Sequence, residues 1–136
     1  MSIDPAALAT ADLILQLLLV IVLVTAAVLA RKKRFAIHCA IVRTAVILQA
    51  VAIAVAMLPS MGANLRAGQP DSLFNIEVLA HHSLGLAVIA IWIYVNLVML
   101  GVIKMRRRLV WPMRLAFTCW LLALIMGIHI YVLTRA

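Results

Sequence analysis

Four long apolar runs dominate the pattern of this chain, at roughly residues 6–30, 36–58, 76–103 and 110–133. Each exceeds the ~20 residues that a helix needs to cross a ~30 Å hydrocarbon core. A backbone in lipid must satisfy its polar groups internally, so each run is predicted to be a helix. The helices use nearly the whole of residues 1–136, which leaves a single domain. Short connections predict an all-α membrane protein, an antiparallel up-down-up-down bundle of four transmembrane helices. Asp4 followed by Pro5 is a good helix start. The first run is too long for the apolar part of a secretory signal and has no basic lead, so it is read as a retained span.

Composition agrees with that pattern. Of the 136 residues, 68% are hydrophobic and 12% charged, more apolar surface than a soluble domain of this size can hide. The net charge of +8 is concentrated in two places. Arg31-Lys32-Lys33-Arg34 fills the first connection, and Lys104, Arg106, Arg107 and Arg108 fill the third. The second connection has Arg66, offset by Asp71 and Glu77, among turn-forming residues from Pro59 to Asn75. This positive-inside pattern places the basic connections in the cytoplasm of a cell with the protein in its cytoplasmic membrane, and both termini outside. The basic arms are too short for a nucleic-acid module, so the expected contact is with the lipid bilayer.

The candidate chemistry lies in the histidines. His38, His81, His82 and His129 all fall inside or at the edge of apolar runs. An ionisable ring at such depth is normally paired, hydrogen-bonded or bound to something, and neutral imidazole is a good ligand for metals and haem iron. With span midpoints near residues 47, 88 and 122, a rise of ~1.5 Å per residue puts His82 at ~9 Å and His81 and His129 at ~10 Å, toward the outer face. Histidines at one level on the third and fourth helices can grip one haem edge-on. His38 lies ~13 Å to the other side, roughly 22 Å from that level, too far to share the iron. Near its own level are Asn96 and, deeper, Arg43, a second polar site.

Helical faces refine the choice. His38, Val42, Ala45, Gln49, Ala52 and Ala56 make one small and polar stripe, the kind that packs against another membrane helix. Arg43 falls ~140° from it. On the third helix His81 and His82 straddle the face of Gly85, whose missing side chain leaves room for a flat ring. On the fourth, Trp111, Thr118, Leu122 and His129 share a stripe. Adjacent residues cannot both point at one iron. Glu77 stands four residues before His81, which favours His82 as the ligand and leaves His81 as the second candidate. A lone intramembrane histidine is most often a hydrogen-bonding partner, whereas three at one level tip the reading to a cofactor. Arg66, Tyr131 and Arg135 are placed to meet haem propionates.

Other chemistry is thinly represented. Cys39 and Cys119 belong to no CxxC or CxxCH motif, which excludes covalent c-type haem attachment and leaves them as small packing residues. There is no HExxH, no phosphate-binding glycine loop, no acidic cluster and no nucleophile with a placed base, so no catalytic residue is assigned. The sequence contains neither an internal repeat nor a GxxxG motif, although its alanine stripes leave room for a homo-oligomer.

The order of these features resembles a known family. A basic turn leads into a histidine opening the second helix, Arg31-Lys-Lys-Arg-Phe-Ala-Ile-His38. His81-His-Ser-Leu-Gly85 follows near the outer start of the third helix, and after a basic third loop the fourth contains Gly127-Ile-His-Ile-Tyr131. Over roughly residues 31–136 this is similar to a family of small four-helix integral membrane proteins of unclassified function, some members of which are linked to haem-copper cytochrome oxidase assembly. The resemblance implies His38 and one of His81 or His82 as family-like positions; His129 enters from its depth alone. A cytochrome b subunit, by contrast, typically carries two histidines per helix to hold stacked haems, and this chain does not.

The resulting expectation is a b-type haem protein with a bis-His site near the outer leaflet. Its role would be haem handling and oxidase assembly, or electron transfer with a quinone or a respiratory oxidase, rather than hydrolase or transferase chemistry. Two alternatives stand beside it. One is a cofactor-free assembly or scaffold protein whose histidines join helices; the other is a metal-ion or small-molecule carrier using His38, Asn96 and the outer histidines as stations.

Overall fold

The computed structural model describes residues 5–59, 62, 73–104 and 109–135. Its helices are α1 (Pro5–Arg31), α2 (Phe35–Ala52), α3 (Leu73–Met99) and α4 (Val110–Arg135). A π-helical turn over Ile53–Met57 continues α2 without a break. Four stretches, Ala7–Arg31, Phe35–Met57, Leu73–Met99 and Val110–Leu133, are long and apolar enough to cross a membrane. Among the described residues there is no strand.

The chain forms two compact units, Met1–Arg66 and Ala67–Ala136. Each is an antiparallel helical hairpin, α1 on α2 and α3 on α4. In the first, Leu19, Leu23 and Ala26 of α1 are buried at helical spacing, as are Ala45, Val46, Gln49 and Ile53 along α2. Arg43 is exposed, off the buried stripe as its angular position requires. In the second unit, Val78, His82, Gly85, Val88 and Val95 make the buried stripe of α3, and Trp120 and Ala123 are the buried residues of α4. Much of the remaining surface is large and apolar, including Ile14, Leu18, Ile21, Ile47, Leu79, Ile93, Leu115 and Ile125. Water would penalise an apolar surface of that extent, whereas lipid does not. The protein is a multi-pass membrane protein by this criterion.

Polar side chains on these helices turn back to their own backbone. Thr25, Thr44, Ser83 and Thr118 donate to the carbonyls of Ile21, Ala40, Leu79 and Arg114, each four residues earlier. Such local bonds satisfy hydroxyls where no water is available.

The two hairpins open alike despite the absence of a sequence repeat. Helices α1 and α3 each have 27 residues. In α1 the N–H groups of Lys33 and Arg34 return to the carbonyls of Ala30 and Leu29; in α3 those of Gly101 and Val102 return to Val98 and Leu97. This is the Schellman ending, which requires a left-handed residue just after the helix. Lys33 holds that position in one hairpin at φ 60° and Gly101 in the other at φ 75°. Apolar residues continue to Ile103, so hydropathy predicts a longer third helix; the left-handed Gly101 stops it at Met99. The π-helical turn leaves no trace in the hydropathy pattern, because Ile53–Met57 reads like the α-helical turns before it.

A candidate histidine site in the second hairpin

The register of α3 against α4 is fixed by two polar contacts. The Nδ1–H of His81 donates to the carbonyl of Ala123 at 2.8 Å. One turn nearer the start of α3, Glu77 Oε1 accepts from Nδ1 of His129 at 2.6 Å. The side chain of His129 is 59% exposed and that of Glu77 21%. Glu77 is therefore matched with His129 across the hairpin, not with His81 on its own helix as the four-residue spacing suggests. That spacing brings two side chains to the same side of a helix, but here the carboxylate meets the imidazole that α4 presents.

His81 enters α4 at a gap made by small residues. A Cβ built on Gly127 would stand 2.9 Å from Cε1 of the His81 ring and 3.4 Å from its Nδ1. Ala123 and Gly127 are four residues apart, the small-residue spacing that lets membrane helices approach closely. Room for a histidine ring is thus supplied by Gly127 on the neighbouring helix, while Gly85 lies in the buried stripe of His82. Sequence reasoning looked for the gap on the histidines' own helix and missed both Ala123 and Gly127; their spacing was the available signal.

His82 is 5% exposed, the more buried of the two adjacent rings. Its Nδ1 donates to the carbonyl of Val78 at 2.5 Å, and its ring meets that of His81 edge-on, with centroids 5.4 Å apart at 83°. Helical geometry separates adjacent side chains by ~100°, and the two rings accordingly have different surroundings.

One chemical feature is common to these rings. In each, Nδ1 meets an oxygen that can only accept: a main-chain carbonyl for His81 and His82, a carboxylate for His129. The hydrogen must then reside on Nδ1, and in the neutral ring the lone pair is on Nε2. Metal-binding histidines are usually oriented this way, with the second nitrogen donating to a carbonyl or carboxylate.

The levels of the rings differ from expectation. Because Glu77 is opposite His129, and His82 follows Glu77 by five residues, His82 and His129 are offset by ~7.5 Å along the helices. The near-coincidence read from span midpoints fails because α3 runs from Leu73 to Met99 and its register is set by the His81 and Glu77 contacts.

The remaining candidates are dispersed. In the first hairpin, Nδ1 of His38 donates to the carbonyl of Ala26 on α1 at 2.9 Å, and Ala26 is 0% exposed. Asn96 donates its amide to the carbonyl of Trp92 in its own helix at 2.9 Å. Each member of the second polar site therefore has its contact in its own hairpin or, for Arg43, lies exposed. Tyr131 is half-buried near the end of α4. Arg66 and the side chain of Arg135, expected at propionates, lie outside the described residues. Cys39 and Cys119 are half-buried free thiols. Among the described residues no three His, Cys, Asp or Glu side chains come together as an ion site. No family model, curated protein or solved structure matches this chain.

Proposed function

We propose that this protein binds one b-type haem in the membrane, held by Nε2 of His82 and Nε2 of His129, which reach it from levels ~7.5 Å apart along the helices rather than from one level. The observation that carries this reading is the anchoring of each Nδ1 on an oxygen acceptor, Val78 carbonyl for His82 and Glu77 carboxylate for His129. His81 is the weaker candidate because its ring is wedged against Gly127 and bonded across the hairpin to Ala123. The donor set favours haem over a bare cation. A structural zinc-type ion takes about four protein ligands, whereas haem brings its own equatorial nitrogens and requires only one or two.

Held by two histidines, a bound haem would support one-electron transfer or haem carriage rather than oxygen activation. The role is haem handling in oxidase assembly, or electron transfer to a quinone or oxidase partner. In this reading the four spans lie in the cytoplasmic membrane, basic turns inside and termini outside.

The test is an absorption spectrum of detergent-purified protein, oxidised and dithionite-reduced. A low-spin haem spectrum lost in His82→Ala and His129→Ala, and kept in His38→Ala, supports the histidine pair. Colourless protein that takes up no added haem rejects it.

A second reading, a cofactor-free scaffold, is favoured by a different observation. His38 bonds to Ala26 and His81 to Ala123, so in each hairpin a histidine ties two helices through an alanine carbonyl. The same spectrum separates the two readings.

A further inference from the structure

We propose that the turn joining α1 to α2 is a binding site for an anionic phospholipid, whose phosphate is held by Arg31, Lys32, Lys33 and Arg34. Three observations converge on it. All four cations are exposed and consecutive. No acidic residue occupies the first turn of α2, and its N-cap, Arg34, makes no side-chain capping bond. The acidic side chain described on this hairpin, Asp12, lies 19 residues before Arg31 and is bonded to Gln16. At ~1.5 Å per residue that is ~28 Å away along α1, several Debye lengths at physiological salt. Among the described residues of this hairpin, no carboxylate therefore stands near the positive charge of the turn.

The apolar half of a lipid is matched as well. Phe35 is 59% exposed and Ile37 48%, directly after the cations. A phosphodiester on the basic residues with an acyl chain along Phe35 and Ile37 satisfies both at one location, which inorganic phosphate cannot do.

Lys33 sharpens the argument. Its counterpart in the otherwise identical ending of α3 is Gly101. The left-handed conformation suits glycine and strains a lysine. A cation stands where the fold by itself asks for glycine.

That contrast supplies a variant that should fold well. Full-length protein in neutral detergent is titrated with phosphatidylglycerol, phosphatidylcholine or inorganic phosphate, and the thermal midpoint and retained lipid are read. Phosphatidylglycerol is expected to raise the midpoint and remain bound; the other two are expected to do neither. At roughly 1 kcal/mol per cation near a lipid surface, Lys33→Gly should weaken the apparent affinity about fivefold and Lys33→Gly with Arg34→Gln about 25-fold. Lys33→Arg, which keeps the charge, should bind as the parent does. Equal affinity in parent and Lys33→Gly, an equal response to phosphatidylcholine, or an equal response to inorganic phosphate would each overturn the proposal.

Discussion

Gly127 and His81 are fitted to one another: a methyl group at position 127 would stand 2.9 Å from Cε1 of the histidine ring. The ring cannot simply swing aside, because its Nδ1 is bonded to the carbonyl of Ala123 one turn earlier on the same helix. The glycine and the hydrogen bond are two parts of one helix–helix contact.

Gly127→Ala should therefore destabilise the second hairpin, by about 1–3 kcal/mol as for other overpacked interiors. The cost should largely vanish when His81 is also replaced by alanine. A double-mutant cycle of thermal or denaturant stability in detergent checks this, with strictly additive effects as the contrary result.

The interhelical bonds of His38 and His81 should each contribute modestly. Replacing either by alanine is expected to lower stability by about 1 kcal/mol, in line with polar contacts in other membrane proteins. Neither change should remove a haem spectrum if His82 and His129 are the ligands. Loss of haem in His81→Ala with retention in His82→Ala would reassign the ligand to His81.

If His129 is a haem ligand, Glu77 is placed to tune it through Nδ1 of the ring. Its carboxylate meets Nδ1 at 2.6 Å. Glu77→Gln should leave a low-spin spectrum in place while weakening haem affinity about 10–100-fold, the usual effect of losing an outer partner of a ligand histidine. Haem titration of apoprotein reads the affinity. Unchanged affinity would mean that the pair serves helix association alone.

The equivalent turn positions should respond with opposite signs. Gly101→Ala forces a side chain into the left-handed region and should cost about 1–2 kcal/mol, while Lys33→Gly should gain a similar amount or less, since glycine also frees the unfolded chain. Thermal midpoints measured without anionic lipid are the appropriate comparison.

Gln49 is 8% exposed, and its Oε1 has no hydrogen-bond partner among the described residues. An unsatisfied buried acceptor destabilises by about 1–3 kcal/mol. Gln49→Met, similar in length and without the amide, should raise the thermal midpoint. A fall would indicate that the amide oxygen is satisfied in the membrane-embedded protein.

The sequence alone determined the four spans, because length and apolarity are properties of single segments and lipid admits only self-satisfied backbone. The periodicity of α2 likewise separated buried Ala45 and Gln49 from exposed Arg43. Helix ends were legible to within a few residues, apart from the third, where the conformation of Gly101 outweighs the apolar residues beyond it. What each histidine touches was not legible. Local spacing coupled Glu77 to His81 and placed His129 level with His82, whereas the packed hairpin joins Glu77 to His129 and His81 to Ala123. The physical reason is that helical period fixes a side chain's direction about its own axis only. The rotation and sliding of the neighbouring helix are set by packing, here by the room at Gly127, and only the tertiary structure decides them.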